Sequence, residues 1–289
     1  MLLKKLFVFV FLVTLPALTT AADKLFISPK VSLGYMSYSY KYESYLIDSE
    51  GPYAEEWEFS DNVLALGLGI SLNYKQYFVD LFMQRSGAGT DKEIHIAGSS
   101  DKGDYLKDDS GYSFTRKDYS LAIGYRFSEF LPMFPDDTLS ISVGYKKGQT
   151  KYDRTISYIY TSEEPTRTEV QSDSYETTGP FIGASYSWSM WDGTVSISAG
   201  IAQYTGESNY SFFVNNELDF IDAVEDNTLA YTYGLSWSKP LTERLAFSAL
   251  LSMYDYKFEK NNYRAEKNYS VVSFRESMYA VRLTLQYTF

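Results

Sequence analysis

The sequence predicts an all-β fold: a membrane-spanning, up-and-down antiparallel β-barrel of about ten strands. Three observations predict it. Ten segments alternate large apolar residues with small or polar ones at period two. The connections between those segments are alternately short and long. Aromatic residues gather at the short-connection ends.

The segments run in order along the chain. Val31, Leu33 and Tyr35 face against Lys30, Ser32 and Gly34. Leu64 to Leu72 puts leucines and Ile70 opposite Ala65, Gly67, Gly69 and Ser71. Tyr77, Val79, Leu81 and Met83 oppose Phe78, Asp80, Phe82 and Gln84. Tyr119 to Phe127 opposes Ser120, Ala122, Gly124 and Arg126, and Leu139 to Tyr145 opposes Ser140, Ser142, Gly144 and Lys146. The pattern recurs over 182–188, 195–202, 229–237 and 245–253. It is strictest at the end, where Tyr279, Val281, Leu283, Leu285, Tyr287 and Phe289 alternate with Ala280, Arg282, Thr284, Gln286 and Thr288.

Short connections fall at 73–76, 128–137, 190–193 and 239–243, and long ones near 43–60, 87–113, 153–176, 205–226 and 257–272. Tyr74, Tyr77, Phe127, Phe130, Trp188, Trp191, Trp237, Tyr287 and Phe289 stand at the short ends, as rings do at a membrane–water interface. A soluble sandwich has no reason to collect aromatics there. The mean hydropathy of −0.27 does not oppose a membrane, because only alternate positions of a barrel strand are apolar. The second face is Gly, Ser, Ala and Thr with few charges. That suits a narrow lumen and makes a poor solvent-facing surface, so the apolar face is expected to meet lipid.

Residues 1–22 read as a cleaved signal peptide. Lys4 and Lys5 precede an apolar stretch from Leu6 to Leu18, and Thr20-Ala21-Ala22 supplies small residues for cleavage. The stretch is short for a spanning helix, which needs about 20 apolar residues. Cleavage removes two lysines and takes the net charge from −11 to −13. The mature barrel is then 23–289. Its acidity argues against nucleic-acid binding. The absence of Cys excludes disulfides, thiolate metal sites and thiol nucleophiles.

The final strand resembles those of bacterial outer-membrane proteins, whose last strand ends in Phe. The resemblance implies a Gram-negative outer-membrane location. It also implies that Tyr287 and Phe289 form a signal for the barrel-assembly machinery. Ten strands and this length are similar to the omptin family of outer-membrane proteases, which use a carboxylate pair near the second loop and an Asp-x-His pair in the fourth. Here the one His, His95, lies in the second long connection, and the fourth holds Asp219, Asp222, Glu225 and Asp226 without His. The protease pattern is therefore missing. Ser99 and Ser100 are near His95 in sequence, but nearness does not make a hydrolase pair, and a lone loop His reads as a solvated surface residue.

The expected lumen-lining charges are Lys30, Asp80, Arg126, Lys146 and Arg282. Either they line a narrow watery path, or they pair with one another and with Tyr254 or Gln84 and plug it. The long connections are rich in Tyr and acidic in the first and fourth. The fifth is basic, with Lys257, Lys260, Arg264, Lys267 and Arg275 outnumbering Asp255, Glu259, Glu266 and Glu276. It is expected to touch lipopolysaccharide phosphates or to pair with the acidic connections. The tyrosines are expected to pack between strands that extend past the membrane.

The functional expectation is non-enzymatic and cofactor-free: a narrow porin-like channel for small solutes, or else a surface interaction protein with a plugged lumen. Lipid and lipopolysaccharide are the expected surroundings. The mature chain is expected to sediment with membranes and to migrate faster on a gel unheated than boiled. Recovery in the aqueous fraction would contradict this reading.

Overall fold

The computed structural model describes residues 25–48, 51–86, 94–100, 103–128, 136–160, 167–215, 217–260 and 269–289. The expected signal peptide, Phe130 and residues 261–268 of the fifth long connection lie outside them. The strands are β1 (Phe26–Asp48), β2 (Gly51–Tyr74), β3 (Tyr77–Ser86), β4 (Ile94–Ser100), β5 (Gly103–Ser128), β6 (Thr138–Tyr160), β7 (Arg167–Met190), β8 (Gly193–Val214), β9 (Glu217–Pro240), β10 (Leu245–Lys260) and β11 (Tyr269–Tyr287). Each pairs antiparallel with its neighbours, β1 pairs with β11, and the β3–β5 pairing closes the ring. β3 lies along the lower half of β5 and β4 along its upper end, so the two share one wall position and the barrel has ten.

Closure answers the cost of bare backbone N–H and C=O groups in hydrocarbon, where no water can pair them. The stagger then sets the width. A row of paired residues leaves β5 at Ser128 and passes through Thr138, Ser187, Ser196, Ser236, Leu250, Arg282, Gly34 and Ala65 to Ser86. Ser86 lies beside Arg116, one step past the Arg85–Lys117 pair, so the row returns to β5 twelve residues from its start. Ten strands with that stagger tilt by about 40° and give a backbone radius of about 10 Å, an interior that side chains can fill.

Alternation assigns the two faces. Leu66, Leu64 and Val31 are 68%, 61% and 59% exposed, whereas Ser32 and Ala65 are 3% and 2%. Exposed Leu, Val, Ile and Tyr form a continuous outer belt. At its short-turn edge stand Tyr77, Phe127, Trp191, Tyr287 and Phe289, all exposed, with Tyr77 and Phe127 both edge-on to Tyr125 and Tyr287 edge-on to Phe289. Trp191 and Asp192 both take positive φ (54° and 53°), the geometry of a two-residue turn that preserves strand twist.

The long connections are mostly strand. β1 and β2 pair continuously to Asp48–Gly51, and β6 is unbroken from Thr138 to Tyr160, so 149–160 extends a strand rather than forming a separate hairpin. Strands of 23 or 24 residues reach about 60 Å when tilted, near twice the hydrocarbon thickness.

Inward Phe residues lie over inward Gly residues of adjacent strands. A Cβ on Gly144 would come within 2.5 Å of the Phe181 ring, and one on Gly67 within 2.6 Å of Phe82. At Gly34 the nearest atom would be 3.5 Å away. Gly144→Leu is therefore expected to cost about 1–3 kcal/mol by overpacking, and Gly34→Ala to change stability little. Urea midpoints of the heat-modifiable form check this. Equal midpoints for the two variants would contradict the Gly–Phe packing.

Candidate functional site: a closed lumen

Up the barrel from the short turns, the inward side chains change character. In the lower half they are mainly Ser, Gly, Ala and Thr. Near the outer edge of the apolar belt they become Tyr, Phe and Met. Met36 and Tyr38 of β1, Phe114 of β5, Tyr152 of β6, Tyr175 of β7, Tyr204 of β8, Tyr254 and Tyr256 of β10 and Met278 of β11 are all buried. Their rings interlock across the lumen. Tyr38 meets Phe114 at 4.6 Å between centroids, Tyr254 meets Tyr256 at 5.3 Å, and Tyr204 meets Tyr256 at 6.0 Å.

Arg116 sits within this layer, 1% exposed. Its Nε donates to both oxygens of Asp118 (3.1 Å each) and its Nη2 to Oδ1 (2.9 Å). Its Nη1 donates to Thr150 Oγ1 (3.0 Å) and to Glu276. Its guanidinium also lies 5.7 Å from the Tyr38 ring centroid. Glu276 comes from β11, four wall positions from β5, so the ion pair crosses the lumen. It is 0% exposed. Bidentate contact to one carboxylate and a second bond to another is the strong use of a guanidinium. Phe114, Arg116 and Asp118 share the parity of the inward residues Ser120 and Ala122. That was the available sequence signal, and reading the strand as starting at Tyr119 hid it.

Beneath this layer lies a cavity of about 570 Å³. Asp80, Arg126, Lys146 and Arg282 line it. Lys30 stands at its side, 2.8 Å from Asp80, which also accepts from Ser71 Oγ. Arg126 donates to Asn73 Oδ1 (2.8 Å) and lies 4.7 Å from the Phe78 centroid. Lys146 Nζ is 3.8 Å from the Tyr254 centroid, and Arg282 is 4.4 Å from that of Phe82. Of the two arrangements open to these charges, the lower pair, Lys30 and Asp80, bond to each other. Lys146 and Arg282 rest on aromatic faces, the favourable place for a cation without a carboxylate.

The outer face corrects one expectation. Glu276 does not belong with the charges of the fifth connection, because its even position on β11 turns it into the lumen. Its neighbour Arg275 turns outward and donates to Asp255 of the adjacent strand (3.1 and 2.9 Å), with Ser277 Oγ on the same carboxylate (2.9 Å). Arg275 is thus neutralised within the hairpin, by Asp255. His95 lies on β4 where its register with β5 shifts, and Asp219, Asp222, Glu225 and Asp226 lie on β9. These two strands are on opposite walls.

The sequence matches no protein-family model and no curated protein. Among solved structures, the outer membrane protease OmpT from Escherichia coli superposes with a TM-score of 0.68 at 14% identity, over 94% of this chain and 99% of that one. The translocator domain of the autotransporter NalP from Neisseria meningitidis (TM-score 0.37, 11% identity, 96% and 92%) and a FadL homologue from Pseudomonas aeruginosa (0.30, 8%, 90% and 90%) overlap only loosely. The fold is therefore a closed antiparallel barrel of the kind OmpT has, here of ten strands. At 14% identity the likeness concerns fold alone.

Removing Glu276 leaves Arg116 paired with Asp118 but takes away the bond that crosses the lumen. Glu276→Ala is expected to destabilise the barrel by about 1–3 kcal/mol. The triple variant Arg116→Met, Asp118→Leu, Glu276→Met is expected to recover most of that loss. Urea unfolding of the detergent-solubilised barrel measures both. A Glu276→Ala variant as stable as the parent would contradict the arrangement.

Proposed function

We propose that this chain is a non-enzymatic outer-membrane barrel whose lumen is closed at the outer membrane edge and whose work is done by its projecting rim, as a surface interaction protein. The burial of Tyr38, Arg116 and Glu276 at 0–1% exposure supports this most directly, since these side chains fill the cross-section at their level. A barrel with a backbone radius of about 10 Å has no room for a solute beside such a layer. The tall strand pairs above it carry the rim well beyond the lipid, where it can meet a partner. The missing His in the fourth connection weighs against the protease activity named for OmpT. Lipid and lipopolysaccharide surround the belt in this reading, and Tyr287 and Phe289 serve the barrel-assembly machinery.

A narrow channel is the second reading, favoured by the small-residue cavity that leads up to the closed layer. Planar-bilayer recording separates the two. The wild-type barrel is expected to show no current steps, and the Tyr254→Ala, Tyr256→Ala double variant to show them, because truncation opens the layer. Steps in the wild type would overturn the closed-lumen reading and restore the channel.

A further inference from the structure

At the level of the cavity and the layer above it, the described inward residues carry more positive than negative charge. Among the described inward residues, Lys30, Arg116, Arg126, Lys146 and Arg282 face Asp80, Asp118 and Glu276. Asp80 is held by Lys30, and Asp118 and Glu276 are both held by Arg116. Arg126, Lys146 and Arg282 therefore have no carboxylate within ion-pair distance among the described residues, and all three line the cavity beneath the closed layer. Arg126 is bonded to Asn73, whereas Lys146 and Arg282 are held, among the described residues, by the faces of the Tyr254 and Phe82 rings. These two cations stand on β6 and β11, five wall positions apart, facing each other across the lumen. Arg282 Nε is buried without a hydrogen-bond partner among the described residues.

Asp118 also lines the cavity, but Arg116 already holds both its oxygens, so the two cations are compensated only in part, and at membrane depth an anion or ordered water lowers the remaining cost. The cavity is larger than an inorganic ion requires and falls in the range of small-molecule pockets. Phe181 forms part of its wall beside the serine and glycine surface. We propose that this cavity binds a small organic anion. Its carboxylate or phosphate oxygens lie between Lys146 and Arg282, and its apolar body rests on Phe181. Entry is from the short-turn side, since the closed layer roofs the cavity and its lining extends down to Phe78 and Ser187 next to the turns. The site differs from the rim and stands whether or not the rim binds a partner.

Isothermal titration of the full-length folded barrel in detergent tests it with benzoate, phenyl phosphate and the uncharged benzamide. One or both anions are expected to bind saturably, and benzamide at least about tenfold more weakly. Which anion binds tighter decides between carboxylate and phosphate. Lys146→Met and Arg282→Met are each expected to weaken the anion about tenfold, whereas Lys151→Met on the outer face leaves it unchanged. Bromide-soaked crystals of the wild type give a second readout independent of the variants' folding, an anomalous peak between Lys146 and Arg282. No saturable anion binding, binding equal to that of benzamide, binding undiminished in both lumen variants, or a cavity without bromide would each overturn the proposal.

Discussion

Every feature of this barrel follows from one constraint: within hydrocarbon, each backbone N–H and C=O must find a partner in the protein. A sheet meets that constraint only by closing on itself. Ten strands closed with a stagger of twelve leave an interior narrow enough that ordinary side chains decide whether it is open or shut. Small inward residues leave a cavity, and inward Tyr, Phe and Met residues from seven strands close it. The same chain does both at different heights. The lipid-facing side has no such latitude, which is why its alternation of Leu, Val, Ile and Tyr is so regular.

The closed layer combines two kinds of interaction that reinforce each other. Tyr and Phe rings supply apolar area and exclude water. In the space they leave dry, Arg116 binds two carboxylates from opposite sides of the lumen, where the attraction is stronger than it is in water. The rings alone would leave the strand ends free to breathe. The ions alone would not repay their desolvation. Below the layer the balance is reversed. Small side chains keep the cavity open, inward Phe residues fit over glycines, and cations rest on the rings of Tyr254, Phe82 and Phe78.

Much of the barrel was legible in the sequence because period-two alternation survives wherever one face meets lipid. Strand number, the sense of each face and the position of the aromatic edge all follow from it. So do the inward positions of Asp80, Arg126, Lys146 and Arg282, which are charges set among Gly and Ser. Legibility fails at the outer edge of the belt. There both faces of a strand carry polar or aromatic residues, and Tyr suits either, so Tyr38 and Tyr152 read as loop residues. Arg116 and Glu276 lie 160 positions apart, and no local pattern links them. Parity could have placed Phe114, Arg116 and Asp118 on the inner face, had β5 been followed back beyond Tyr119. The pairing of Arg275 with Asp255 depends on the register between β10 and β11, which only the folded barrel reveals.

The most direct test of the account is site-directed spin labelling along β11, which the absence of native Cys makes simple. Single Cys substitutions from Tyr279 to Gln286, labelled and reconstituted in lipid, report oxygen accessibility residue by residue. The account requires high accessibility at 279, 281, 283 and 285 and low accessibility at the positions between them. A flat profile, or one peaking at the even positions, would mean that the apolar face does not look onto lipid, and the closed interior inferred from it would not stand.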